Sequence, residues 1–281
     1  GMTPEIFHFD PGQAMIVMEF LSPHIILRRA LIEGQELPKI AKDLGLFLAR
    51  TLFRGSDLCL DTKLRKADLA LFADNVALCD ITESLVFSDP YFDAKLNRHT
   101  SPQLDGIVAQ LRADRDLKVA AQRLKHIFAA TPETLLHGDF HTGSVMVTPG
   151  QTRVIDPEFA FYGPMAFDVG MLLANFWMSY FAQSGHEADG SRDSMRRYLL
   201  SVIIEIWATF RAEFSRLWHS ERNGILYQRA LFEDQGDMLA SEQALDLVLQ
   251  GIWTDMLGFA GVEMHRRILG LAHNADFETI K

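Results

Sequence analysis

Leu136-His137-Gly138-Asp139-Phe140-His141-Thr142-Gly143-Ser144 sets two histidines, an aspartate, a threonine and a serine between apolar segments. Directly after it the hydrophobic period shortens. Val145 to Thr148 and Thr152 to Ile155 are short strand-like runs, and Pro149-Gly150 between them is a turn signal. The second run ends in Asp156-Pro157-Glu158. A hairpin returns the chain to its starting edge, so Asp139 is expected at the same end of the two strands as Asp156 and Glu158.

Outward from this segment the pattern is helical in both directions. Upstream, Leu37, Ile40, Leu44, Phe47, Leu48 and Leu52 share one face of a helix that ends at Gly55. Lys63 to Ala77 reads as a second helix, and Leu104 to Phe128 as two helices split near Asp114. Downstream, amphipathic runs cover Phe167 to Ala182, Ser194 to Trp218, Ser241 to Phe259 and Val262 to Ala272. At the front, Ile6 to Phe9 and Ala14 to Phe20 flank the turn-forming Asp10-Pro11-Gly12 and predict a hairpin. A two-stranded hairpin is marginal alone in water, so this one must lean on something larger. The fold class is α+β, mainly α, with small β hairpins.

Composition narrows the function classes. With 281 residues, 48% hydrophobic and 23% charged, the chain has the make-up of a globular body and not of a disordered tail, a collagen-like rod or a disulfide-stapled miniprotein. The formal charge of −10, with no basic stripe, argues against a nucleic-acid partner. Cys59 and Cys79 are in no CxxC pair, so no disulfide is expected and a cytoplasmic setting is. Val169 to His186 lacks Asp, Glu, Lys and Arg but contains Asn175, Gln183, Ser184 and Gly185, so it reads as a buried helix and no membrane partner is expected.

Three carboxylates brought to one spot repel one another unless a cation sits among them. An all-oxygen set suits Mg²⁺, which one or two carboxylates hold together with phosphate oxygens. In a phosphoryl transfer Asp139 would accept the proton of an attacking hydroxyl while Asp156 and Glu158 hold the metal. The plain alternative is loop capping, since Asp is common at turns. His137 and His141 sit four apart, but Gly138 and Gly143 argue against the helix a zinc pair requires, so both are read as structural. Arg266 and Arg267 admit two readings. Glu263 can make an ordinary helical ion pair with Arg267 on a solvated face, worth about 0.3 kcal/mol. Against this, Leu257, Phe259, Val262, Ile268, Leu269 and Leu271 surround a buried-looking stretch in which a guanidinium wants an anionic partner. The aromatic group Phe159, Phe161, Tyr162, Phe167, Phe176, Trp177, Tyr180 and Phe181 reads as core.

The run His-Gly-Asp-x-His-x-Gly-Ser, a strand pair, and then Asp-Pro-Glu-Phe-Ala-Phe-Tyr-Gly-Pro resembles the catalytic and metal loops of the 5-methylthioribose kinases, in the aminoglycoside-phosphotransferase-like branch of the protein-kinase fold. Ser144 stands where the wider branch has Asn, which makes the resemblance specific to these kinases. It extends from about Ile6 to Ala272. It implies a protein-kinase-like C-terminal lobe, ATP and Mg²⁺ as cofactors, and a small sugar, 5-methylthioribose or similar, phosphorylated at a hydroxyl. By position it implies Asp139 as catalytic base, Asp156 and Glu158 as metal ligands in a nucleotide-binding loop with Pro157, and Glu19, Phe20 and Leu21 at the adenine. Arg266 and Arg267 would reach the phosphates or the sugar, as Asp139 would. Asp168 would hold the catalytic loop by its backbone amides.

At the front the chain departs from that pattern. It begins just before the fourth strand of the family's N-terminal lobe, with no GxG and no strand Lys to pair with phosphates. The expected division is residues 2–21 as residual N-lobe strands and hinge of a truncated N-terminal lobe, and 22–281 as the helical C-terminal lobe. Alternatives to an active phosphotransferase are a catalytically inactive sugar- or anion-binding remnant, half of a split kinase needing a separate N-lobe polypeptide, and a helical interaction module unrelated to phosphate. An apolar flank left by a missing lobe suggests a homodimer.

Overall fold

The computed structural model describes residues 1–187, 190–278 and 280. Asp10 turns the chain between β1 (Ile6–Asp10) and β2 (Met15–Met18): its Oδ1 accepts from the Gly12 and Gln13 amides, and the strands pair antiparallel. The hairpin forms as its sequence predicts, yet Ile6, Phe7, Phe9, Ile16 and Val17 are all exposed, and Phe20 beyond it is 89% exposed. None of them belongs to the hydrophobic core. The hairpin hangs by its base, where the Val154 amide donates to the Met2 carbonyl and Arg153 lies 3.4 Å from Glu19.

β3 (Ile25–Ile26) and α1 (Leu27–Ile32) follow. In α2 (Ile40–Arg54), Ile40, Leu44, Leu48 and Leu52 recur every four residues, and all four are buried. The expected Lys63 to Ala77 helix is instead two, α3 (Thr62–Phe72) and α4 (Val76–Leu85). Asn75 breaks the run, leaving helical geometry so that its side-chain amide donates to the Glu158 and Ala160 carbonyls at 2.9 and 3.0 Å. α5 (Asp105–Ala113) and α6 (Arg115–Ala130) divide at Asp114 as expected, because its carboxylate caps α6 by accepting from the Leu117 amide.

β4 (Thr134–Leu135) precedes the polar loop. β5 (Val145–Val147) and β6 (Thr152–Val154) form the expected hairpin, which β3 extends to a sheet of order β3-β5-β6. β7 (Tyr162–Gly163) pairs with β4. Two-residue strands carry no periodicity, which is why the sequence reading missed β3, β4 and β7. α7 (Met165–Ala182) is apolar nearly all round and is the central core helix, with α8 (Asp193–Glu221) and α9 (Met238–Leu269) packed about it and α10 (Ala275–Glu278) closing the described chain. The separate helices expected at Ser241 to Phe259 and Val262 to Ala272 are one, α9. No proline interrupts it, and an interior glycine such as Gly261 costs a helix only about 1 kcal/mol. α7 and α9 approach closely at Gly170, where a Cβ would lie 2.6 Å from the Met256 carbonyl oxygen.

Phe87, Phe128, Phe167 and Phe259 form the centre of the core, with ring centroids 4.9 Å apart for Phe128 and Phe167 and 5.4 Å for Phe167 and Phe259. Of the aromatic group expected there, Phe161, Tyr162, Phe167 and Phe176 are buried, whereas Phe181 is exposed. No helix among the described residues is long and apolar enough to cross a membrane. Cys59 and Cys79 are free and half-buried, and burial pushes both thiols up.

One ion cluster ties α2 to α8. Glu213 lies 2.7 Å from Arg50 and 2.9 Å from Arg216. The hydrogen bonds from Arg216, and then Arg50, lower its carboxyl from the ordinary 4.5 to about 2. A carboxyl lowered by folding stabilises the protein above the unfolded-state pKa, and that stability is lost as the pH falls through the folded value. The stability difference between wild type and Glu213→Gln is therefore expected to be full above pH 4.5 and to shrink towards pH 2, as thermal melts across that range would show.

Candidate active site

Asp168 organises the polar loop. It lies in the first turn of α7, fully buried, and its carboxylate accepts from the His137 amide at 2.7 Å and the Gly138 amide at 3.1 Å. Burial pushes this carboxyl up despite both bonds. The contact is the one the resemblance implied: a helix-borne carboxylate holding the loop by its backbone. Gly138 has φ +84°, and a Cβ there would meet the Phe159 carbonyl oxygen at 2.0 Å. Gly138→Ala is expected to lower unfolding free energy by about 2–4 kcal/mol, read from the urea midpoint, because the added methyl meets backbone that cannot yield without moving the loop after Glu158.

Asp139 emerges from this turn with its two oxygens differently placed. Oδ1 is buried, accepts no hydrogen bond, and lies 3.6 Å from Arg266 Nη2 and 3.7 Å from Arg267 Nη2. Oδ2 lies 3.3 Å from His141 Nε2. Burial alone would raise the Asp139 carboxyl. The His141 ring and the two guanidiniums more than offset it and hold the group far below the usual carboxylate range.

Both arginines occupy the last turn of α9, one turn beyond Glu263, whose carboxylate is 2.6 Å from Arg267 Nε and 3.3 Å from Arg266 Nε. The helical ion pair weighed from the sequence does form, but it is not on a solvated face: Glu263 is 0% exposed, Arg266 8% and Arg267 6%. Arg28 joins them from α1. It donates to Asn175 Oδ1 at 2.8 Å and Thr142 Oγ1 at 3.2 Å, and lies 3.4 Å from the buried Asp276 carboxylate. Three guanidiniums thus alternate with Asp139, Glu263 and Asp276. The sequence reading missed Arg28, Asn175, Thr142 and Asp276 as members of the cluster. A signal is present in Asn175, the polar residue inside the apolar run of α7, since a buried amide there needs polar partners.

The acidic tripeptide is tied to the same loop. The Ile155 amide donates to the Ser144 carbonyl at 3.0 Å, and the Ile155 carbonyl lies 2.9 Å from His137 Nε2. Asp156 follows in the left-handed region at φ +66°, with Glu158 close behind it, and both side chains are exposed. Among the described residues no three His, Cys, Asp or Glu side chains are gathered so as to hold a metal ion. The expected meeting of Asp139, Asp156 and Glu158 around one ion is therefore not found, because Asp139 is turned to Arg266, Arg267 and His141. Asp156 and Glu158 remain an exposed pair on one short loop, and such a pair suits Mg²⁺ completed by phosphate oxygens and water. Beyond β2, Glu19 lies 3.4 Å from Arg153 on β6 and accepts from the Glu5 amide, which sets it beside the strand that leads into Asp156, while Phe20 next to it is exposed.

With that geometry in hand, residues 3–198 match the family model described as the phosphotransferase enzyme family, APH. Curated relatives include a methylthioribose kinase of Escherichia coli O45:K1, 42% identical over all of this chain and 67% of the relative. Methylthioribose kinase 1 of Oryza sativa subsp. japonica is 42% identical over 99% of this chain and 65% of the relative. The chain thus spans about two thirds of the length of the curated relatives it matches. Among solved structures, a glucosamine kinase in complex with glucosamine, ADP and inorganic phosphate overlaps 89% of this chain and 61% of its own at 17% identity. Its TM-score of 0.44 is too low to bear on function.

Proposed function

Because the chain belongs to the phosphotransferase enzyme family, in its methylthioribose kinase branch, we propose that it transfers a phosphoryl group from ATP to a hydroxyl of 5-methylthioribose or a closely similar sugar. The observation that carries this reading is the Asp139 carboxylate: ionised at neutral pH, set in a polar loop clamped by Asp168, and flanked by two buried guanidiniums. In this role Asp139 orients the sugar hydroxyl and accepts its proton. Arg266 and Arg267, rigid and nearly desolvated, meet anionic oxygens with planar donor sets. Asp156 and Glu158 are the ligands that would hold Mg²⁺, which when bound neutralises charge on the phosphates. Glu19, Phe20 and Leu21 are assigned to the adenine and Pro157 to the nucleotide-binding loop. Residues 2–21 are assigned as the residual N-lobe strands and hinge, and 22–281 as the helical kinase-like C-terminal lobe.

The same reading includes a reducing cytoplasmic setting, in keeping with two free thiols. It also includes cover for the apolar β1–β2 hairpin by a second copy or a separate polypeptide, which light scattering tells from a monomer. The test of function is titration of the full chain with ATP·Mg²⁺ and with 5-methylthioribose, followed by mass detection of the phosphorylated sugar. Formation of ADP and sugar phosphate in equal amounts is expected. Sugar binding with no nucleotide response would replace this reading with that of a binding protein.

A further inference from the structure

His141 touches Asp139, and the phosphoryl-transfer reading gives it no work. Its ring is seated against the loop that follows it: a Cβ on Gly143 would lie 2.7 Å from His141 Cε1, so only glycine leaves room for the imidazole. The Gly143 amide donates to His141 Nδ1 at 3.0 Å. A backbone N–H can only donate, so Nδ1 carries no proton, and the neutral ring holds its hydrogen on Nε2. The Ser144 hydroxyl lies 3.1 Å from Nδ1 and 3.0 Å from the Asp139 carbonyl oxygen, and its single proton serves one of them at a time. Burial, with Arg267 and Arg28 nearby, keeps the ring below the ordinary imidazole pKa, in keeping with the neutral form.

We propose that His141 is a positioning residue for Asp139: its Nε2, whose proton is set by the Gly143 amide on the far side of the ring, faces Oδ2 in a 3.3 Å contact and so restrains the rotation of the carboxylate. The alternative orientation is close at hand. Arg266 and Arg267 both face Oδ1, and a carboxylate free to turn about its Cβ–Cγ bond would offer both oxygens to these forked donors, drawing both into the arginine cluster and away from a substrate hydroxyl. With Oδ2 held at His141, 3.3 Å away, that oxygen keeps a second lone pair outside the arginine cluster.

The inference rests on Asp139 serving as the base, and two substitutions separate it from a role in loop folding. Glutamine places an amide N–H where Nε2 stands. Asparagine places a carbonyl where Nδ1 stands, keeping the Gly143 bond but losing the reach to Asp139. Positioning predicts that His141→Gln stays within about threefold of wild-type kcat, while His141→Asn falls about 30- to 100-fold in kcat with KM for ATP changed less than about twofold. A structural role predicts the reverse order, and that order, or equal loss in both variants, overturns the proposal. The ring state is also read without turnover: ¹⁵N spectra of the wild-type chain at neutral pH should show His141 protonated at Nε2 only. A proton on Nδ1, in either a neutral or a charged ring, refutes it. Failure of the wild-type chain to phosphorylate the sugar would count against the proposed function, while the spectrum would still decide the orientation of the ring.

Discussion

Asp139→Asn is expected to lower turnover about 1,000-fold, the span usually lost with a positioned general base. The amide keeps the shape of the side chain and one acceptor, but it cannot take the proton of the sugar hydroxyl. Substrate binding should change far less than turnover, because Arg266 and Arg267 remain in place on α9. The substitution also alters the local charge. Arg28, Arg266 and Arg267 alternate with Asp139, Glu263 and Asp276, so loss of Asp139 leaves three guanidiniums against two carboxylates. The expected result is a folded protein with a slightly lower melting temperature, measured beside a coupled assay of ADP release. Retention of a tenth or more of the wild-type rate would remove Asp139 from the role of base.

The second large effect is on stability. Glu263 has no exposure to water, and its carboxylate is the near partner of both arginines, at 2.6 and 3.3 Å. Removing one member of a buried ion cluster costs about 3–5 kcal/mol, since the charges that stay behind are neither solvated nor paired. For Glu263→Ala this corresponds to a fall in melting temperature on the order of 10 °C for a chain of this size. Glu263→Gln keeps the volume and one acceptor but not the charge, and should fall between alanine and wild type. In both variants KM for the anionic substrate should rise, because the arginines lose the group that aims them. A change in unfolding free energy below about 1 kcal/mol for the alanine variant would show that water reaches the cluster.

Much of this was legible in the sequence because it rests on short-range rules. The β5–β6 hairpin followed from Pro149-Gly150 and the break between α5 and α6 from Asp114, whereas the clamp by Asp168, across about thirty residues, was implied by the family resemblance alone. What escaped depended on contacts distant in the chain. Asn75 splits an expected helix because its amide is used by carbonyls more than eighty residues away. Arg28 joins the cluster through partners on α7 and α10 that no local pattern announces. The gathering of Asp139 with Asp156 and Glu158 was inferred from hairpin geometry alone. Backbone proximity was realised through Ile155, but the direction of the Asp139 side chain was set by Arg266, Arg267 and His141, whose placement belongs to α9 and to the loop.

In the uncovered monomer the large apolar side chains of the β1–β2 ribbon are already 39–61% exposed. Enthalpy and heat capacity of melting arise from surface newly hydrated on unfolding. A calorimetric scan of the monomer will therefore report chiefly the helical body and carry a reduced signal from the first twenty residues, however intact or frayed that ribbon is.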